Sequence, residues 1–232
     1  MKEVLENALD AGATNIDIKI QDHGLRSITV VDNGCGVKEI DFESLTAKHH
    51  TSKLADFEDL DKVDTFGFRG EALSSLCAAA TLTIITRHKD SSLGTRLKFD
   101  KNGRIETRKV EPRSIGTTAI VEDIFKDFPV RKIELQKNIK KEYAKMVTIL
   151  QSYGISLCDN VRINATCIKN KSNESIMSVR GKGTNGLSPL MNNITEIFGP
   201  KQVNTLVQLN PVQAGDFQVT GVISTCQHGN IN

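Results

Sequence analysis

Glu3 and Asn7 stand four residues apart in Met1-Lys2-Glu3-Val4-Leu5-Glu6-Asn7-Ala8-Leu9-Asp10-Ala11-Gly12-Ala13, a spacing that stacks both on one face of a helix. A carboxylate beside a carboxamide suits a general base next to an oxygen ligand for magnesium. Two further strings follow, Asp32-Asn33-Gly34-Cys35-Gly36 and Gly67-Phe68-Arg69-Gly70-Glu71-Ala72-Leu73. Asp32 can accept a hydrogen bond from the exocyclic amine of adenine, and Gly34 and Gly36 let backbone approach a planar ring without a Cβ in the way. In the later string the glycines free N–H groups to face phosphate, and Gly70 opens a helix whose N-terminus favours anions. ATP hydrolysis needs each of these parts: a base for water, a divalent ion on the phosphates, donors for developing charge and a reader of adenine. Each string alone is commonplace, a solvated helix face or a turn. Their order, closed by Gly116-Thr117-Thr118 on an α/β pattern, makes one nucleotide site of them. Neither a Walker loop nor a Gly-x-Gly-x-x-Gly after a first strand is present in the sequence.

The elements that must hold these residues can be read from periodicity. Val4, Leu5, Ala8 and Leu9 have helical spacing, with Gly12 as a stop. Alternating runs at 15–20 and 27–31, separated by Asp22-His23-Gly24, predict a hairpin whose second strand delivers Asp32 to a strand end. From Val37 to Phe66 the pattern is mixed, as in a loop-rich segment able to move, and helix resumes from Glu71 to Ala79. Strands are expected at 82–87, 95–99, 117–122 and 161–168, with Lys101-Asn102-Gly103 as a turn between extended runs. Between the last two strands, Leu135, Ile139, Tyr143, Met146, Val147 and Leu150 predict a helix over 134–153 that lays one side on a sheet. A polar, glycine-rich stretch at 180–188 precedes a helix near 190–198 and a strand at 217–223. A strand so near the end implies a second domain: residues 1–209 form the first, 210–232 begin the next, with the boundary at Leu209 to Pro211.

Composition bounds the class without choosing the partner. At 232 residues, 38% hydrophobic and 25% charged, the chain is an ordinary globular one, and a net charge of +2 is too mild to imply nucleic acid by itself. Cysteines at 35, 77, 158, 167 and 226 are odd in number and form no C-x-x-C pair, which argues for neither a disulfide framework nor a zinc site. No apolar run approaches the about 20 residues needed to span a bilayer. The expected setting is a reducing compartment inside the cell.

The motifs closely resemble the GHKL ATPase superfamily and, within it, the MutL family of mismatch-repair proteins. Leu5-Glu6-Asn7-Ala8-Leu9-Asp10-Ala11-Gly12-Ala13-Thr14, Asp32-Asn33-Gly34-Cys35-Gly36, His50-Thr51-Ser52-Lys53 and Gly67-Phe68-Arg69-Gly70-Glu71-Ala72-Leu73 carry the likeness. Lys48-His49-His50-Thr51-Ser52-Lys53, Ser74-Ser75-Leu76-Cys77 and Asn138-Ile139-Lys140-Lys141-Glu142-Tyr143-Ala144-Lys145-Met146 are similar to its eukaryotic post-meiotic-segregation branch. The resemblance implies a two-layer α/β sandwich with a mixed, mostly antiparallel sheet covered by helices on one face, followed by the start of a second, S5-like α/β domain. It implies ATP and Mg2+ as cofactors, Glu3 as general base, Asn7 as magnesium ligand and Asp32 as the adenine-reading carboxylate, with Ala11 and Thr117 beside the base. Gly34 and Gly36 begin a lid over 34–73, in which Thr51, Ser52 and Lys53, with Gly67, Phe68, Arg69, Gly70, Glu71, Ala72 and Leu73, surround the phosphates. Nucleotide then acts as a slow conformational switch.

The implied partners are a second MutL-family subunit, a MutS-type mismatch-recognition complex and DNA without sequence preference, in the nucleus and away from membranes. Arg131, Lys132, Lys137, Lys140, Lys141 and Lys145 form a basic set that can contact phosphate backbones. Relatives carry an arm before the first helix and a later lysine that reaches the γ-phosphate; only Met1 and Lys2 precede Glu3 here, so weak ATP binding and poor hydrolysis are expected. The alternative is a non-enzymatic paralogue that binds DNA or repair partners without turnover. His49 and His50 fall inside the lid string and are expected to cap or pack it rather than accept phosphate.

Overall fold

In the computed structural model, residues 1–47, 71–157, 160–169, 172–183, 187–215 and 217–225 are described. The elements in chain order are α1 (Lys2–Asp10), β1 (Asn15–Gln21), β2 (Ser27–Asp32), α2 (Ala72–Ala79), β3 (Thr81–Arg87), β4 (Gly94–Phe99), β5 (Ile105–Glu111), β6 (Gly116–Glu122), α3 (Pro129–Ser156), β7 (Arg162–Lys169), β8 (Ser172–Val179), α4 (Pro189–Phe198), α5 (Pro200–Val203), β9 (Leu206–Ala214) and β10 (Phe217–Ser224). The first eight strands form one sheet in the order β5-β4-β3-β6-β2-β1-β7-β8, and β9 with β10 forms a separate pair. Within the large sheet β1 and β7 run parallel and every other neighbouring pair is antiparallel.

Strand alternation decides which face takes the helices. Ile16, Ile18 and Ile20 of β1 are almost wholly buried, while Asn15, Asp17 and Lys19 point the other way. Register carries that face across the sheet, because Ile16 pairs with both Asp32 and Ile163, and Ile84 pairs with both Ala119 and Leu97. Val4, Leu5 and Ala8 of α1, Cys77 of α2 and Leu150 of α3 join these residues in one core. The result is a two-layer sandwich, as expected. No helix of the described residues is long and apolar enough to cross a membrane.

Several boundaries move. The hairpin of β1 and β2 forms as expected, joined by a 3-10 turn at Asp22–Gly24. Helix α3 extends in both directions beyond 134–153, because Pro129 is preorganised at its first turn and its N-terminal half needs no apolar periodicity. Only that helix's later part reaches the core: Leu150 and Gly154 are buried, whereas Val130 is 80% exposed. Strands β5, β8 and β9 lay outside the expected set; exposed Glu, Arg, Lys, Asn and Ser side chains on the two edge strands hide their period. Strand β9 covers 206–214, and its pairing with β10 shifts register between Val219 and Gly221, opposite 210–211.

Candidate functional site

Asp32 ends β2 on the helix-covered face and is 9% exposed. Its Oδ1 accepts from the backbone N–H of Gly34 at 2.9 Å and of Thr117 at 3.1 Å. Among the described residues its Oδ2 has no hydrogen-bond partner, which leaves that oxygen to accept from a ligand. Burial pushes its pKa above the ordinary aspartate value, against the opposing pull of those two N–H groups and the positive charge of Arg113.

The surrounding turn is built by close backbone contacts. A Cβ on Gly34 would lie 2.8 Å from both Cβ and O of Ala11, and Cys35 donates its N–H to that same Ala11 carbonyl at 2.9 Å. Gly36, at φ +72°, sits against the Arg87 carbonyl, where a Cβ would be only 2.1 Å away. Both glycines therefore admit protein backbone: Gly34 the end of α1, Gly36 the end of β3. The closing strand is tied in by Thr86, whose hydroxyl accepts from Val37 N at 3.0 Å and lies 3.0 Å from the Thr117 hydroxyl.

Ala11 also orients the catalytic candidates. Glu3, Asn7 and Ala11 repeat at intervals of four, so they form one stripe along α1 that begins at the glycine turn and runs away from it. Glu3 is half-exposed, with Lys2 Nζ 3.6 Å from its carboxylate, and Asn7 is partly buried. Ala11, Gly34, Asp32 and Thr117 are thus in mutual contact or one step removed, with Asn7 and Glu3 on successive turns. Glu71, which is exposed, occupies the N-cap position of α2 without a side-chain cap hydrogen bond, and Ala72 and Leu73 enter its first turn partly buried. Thr51, Ser52, Lys53, Gly67, Phe68, Arg69 and Gly70, together with His49 and His50, lie outside the described residues.

Several supporting groups were not singled out from the sequence. Arg113 donates to the Asp32 backbone carbonyl at 3.1 Å and to the Thr118 hydroxyl at 3.0 Å. Asn33 Oδ1 accepts from the N–H groups of Thr14 and Asn15 at 2.9 and 2.8 Å, locking the turn after α1 to the turn after β2. Glu6, buried in α1, accepts from the Tyr153 hydroxyl of α3 and from Lys2 Nζ at 3.0 Å. Asn33 sits inside the Asp32-Asn33-Gly34-Cys35-Gly36 string, where the motif marks it; Arg113 and Tyr153 act from distant sequence with no motif to mark them.

The donor set can be weighed for a hard cation. Among the described residues no group of three or more His, Cys, Asp or Glu side chains gathers to hold a metal. A magnesium ion at Asn7 would draw its remaining ligands from water and phosphate, the habit of an ion that keeps much of its hydration.

The histidine kinase-, DNA gyrase B- and HSP90-like ATPase family model matches residues 1–127. The chain is 49% identical to the mismatch repair endonuclease PMS2 of Gallus gallus over 99% of its own length, and spans 28% of that relative. A solved N-terminal domain of a DNA repair protein superposes with a TM-score of 0.81 at 32% identity, covering 98% of this chain and 67% of the other. The Aquifex aeolicus MutL ATPase domain complexed with ADP shares the fold, with a TM-score of 0.61 at 22% identity over 85% of this chain and 66% of its own. The chain belongs to the histidine kinase-, DNA gyrase B- and HSP90-like ATPase family and, within it, to the MutL group of DNA mismatch-repair proteins.

Proposed function

We propose that this chain binds ATP and hydrolyses it slowly, as the nucleotide-driven switch of a mismatch-repair protein. The observation that carries the reading is Asp32, a buried strand-end carboxylate with Oδ1 held by two backbone N–H groups and Oδ2 left for an amine donor. From Ala11 beside it, four helical residues rise about 6 Å to Asn7 and eight rise about 12 Å to Glu3. That stripe suits a nucleotide laid along α1, base at Asp32 and phosphates towards Glu3.

In this reading Asp32 accepts from the adenine amine and Thr117 keeps that carboxylate oriented. Asn7 supplies an oxygen to a magnesium ion on the phosphates; the ion, when bound, neutralises charge there. Glu3 orients a water molecule and takes its proton as the water attacks the terminal phosphate. Residues 34–73 cover the phosphates, and closing them couples nucleotide to a second MutL-family subunit, a MutS-type mismatch-recognition complex and DNA in the nucleus. The ADP named with the Aquifex aeolicus domain supports the nucleotide part of this reading.

A second reading, binding without turnover, has one observation in its favour: Glu3 is about half exposed and lies near Lys2, rather than enclosed. Titration calorimetry with a non-hydrolysable ATP analogue, paired with phosphate release by wild type and Glu3→Ala, separates the two. Slow hydrolysis that falls at least about 100-fold in Glu3→Ala while analogue binding persists is the expected result. Equal release by wild type and variant removes Glu3 from catalysis, and no analogue binding removes the nucleotide reading altogether.

A further inference from the structure

An open cleft of ≈ 690 Å³ lies at one end of β7 and β8, lined by Thr14, Asn160, Arg162, Ser178, Arg180 and Lys182. Arg162 precedes buried Ile163, and Ser178 precedes buried Val179, its cross-strand partner. Alternation therefore turns Arg162 and Ser178 to the sheet face opposite the helices. Because Ile163 shares the helix-covered face with Ile16 and Asp32, the cleft is on the far side of the sheet from the nucleotide stripe.

Its charge is one-sided. Three cations line it, and among the described residues Glu196 stands 3.7 Å from one of them, Arg180. Among the described residues Arg162 and Lys182 pair with no carboxylate. Three gathered cations with an ion pair at Arg180 alone favour an anion in the opening. The polar donors are positioned as well: Thr14 accepts from Asn33 Nδ2 at 3.0 Å, which leaves its own hydroxyl proton to donate outward. Gly181, at φ +60°, lies so close to Val161 that a Cβ would meet its carbonyl at 2.6 Å, and its own carbonyl accepts from Asn160 N at 2.9 Å. That contact fixes the stretch carrying Arg180 and Lys182 over the start of β7.

Among the described residues no aromatic or aliphatic side chain lines the cleft, so these residues offer neither a platform for a base nor a place for an acyl chain. Its chemistry matches a phosphodiester. We propose that this cleft grips the phosphate backbone of DNA without reading its sequence, as a contact separate from the α3 lysines; the proposal rests on the mismatch-repair reading above.

The test uses the full chain and a fluorescein-labelled duplex, with anisotropy followed between about 50 and 200 mM salt. The combined Arg162→Gln, Arg180→Gln and Lys182→Gln variant is expected to lose about tenfold in affinity at the low end and to flatten the log–log salt slope by about two to three. Its binding of the ATP analogue is expected to match wild type. Should the triple variant unfold, as judged by circular dichroism, the Arg180→Gln and Lys182→Gln pair is expected to give about fivefold loss and a slope flatter by about one to two. Lys140→Glu, Lys141→Glu and Lys145→Glu together provide the contrast. Wild-type affinity and slope in the cleft variants, with loss in the α3 variant, overturns the cleft while leaving DNA binding in place. If wild type binds no duplex but does bind ATP analogue, the cleft proposal falls and the nucleotide reading survives. Phosphorus-NMR broadening of inorganic phosphate that the cleft substitutions abolish, without duplex binding, assigns the site to a free anion and also overturns it.

Discussion

Asp32 gives Oδ1 to two backbone N–H groups and, among the described residues, leaves Oδ2 without a hydrogen-bond partner, and that division makes a sharp substitution possible. In Asp32→Asn the amide oxygen can keep the N–H groups of Gly34 and Thr117, which forces the NH2 to point where Oδ2 pointed. A donor then faces the adenine amine, itself a donor. The expected outcome is a loss of about 2–3 kcal/mol in ATP-analogue binding by calorimetry, with the urea midpoint nearly unchanged. An unchanged affinity sinks the adenine-reading role. Acid works on the same oxygen: the raised pKa means Asp32 takes a proton above the ordinary aspartate range, so analogue binding fades there as pH falls. For folding the sign is opposite to that of a salt-bridged carboxylate. A raised folded-state pKa makes this group's contribution most favourable below the unfolded value, and that contribution is lost as pH rises through the folded one. Asp32 was legible because a strand end followed by two glycines is a local pattern. Arg113, which braces its carbonyl and adds positive charge, was not, since 81 residues separate the partners and only the register of β2 with β6 brings them together.

Helix α1 bears both catalytic candidates yet is short, nine residues, with no side-chain cap at its start. Isolated helices of that length are marginal, so its hold on the core decides where Glu3 and Asn7 stand. Val4, Leu5 and Ala8 supply the apolar grip. Glu6 supplies a polar one, buried and bonded to Tyr153 of α3, whose own pKa is driven up chiefly by burial and then by that bond. Tyr153→Phe keeps the ring and removes the hydroxyl, leaving the Glu6 carboxylate with Lys2 as its recorded donor. Loss of about 1–3 kcal/mol in urea unfolding at unchanged m is expected, together with weaker ATP-analogue binding. Full stability in this variant makes the tie incidental. The apolar stripe of α1 and the hairpin beside it could be read from the sequence, because half-buried elements print their period. Polar ties between elements print nothing. The basic set on α3 was legible only as composition: Arg131 lies over the rings of Phe125 and Phe128 and Lys145 pairs with Glu142, while Lys137, Lys140 and Lys141 extend into solvent.

At the scale of the molecule, the single parallel contact between β1 and β7 joins the β7–β8 hairpin to the rest of the large sheet. It brings residues 15–21 beside 162–168, so the sheet that holds Asp32 is completed only after α3 has crossed back. Such non-local pairing puts the candidate site inside the most cooperative part of the fold, flanked by side chains that are almost fully buried on both neighbouring strands. Strands β9 and β10 are in the opposite situation. Among the described residues they pair with each other alone, and Val207, Val212, Phe217, Val219 and Ile223 stay largely exposed. A two-stranded ribbon with no buried face is marginal in water. Amide hydrogen exchange is therefore expected to separate the two sheets, with slow exchange in β1, β2 and β7 at the level of global unfolding and fast exchange throughout β9 and β10. Addition of the ATP analogue should slow exchange in α1 and at Gly34 to Gly36 and leave the ribbon's rates alone, because ordering by a ligand spreads through packed contacts. Protection of β9 and β10 equal to that of β1 would mean that the ribbon has found a covering surface in solution, and its separation from the large sheet would then have no energetic meaning.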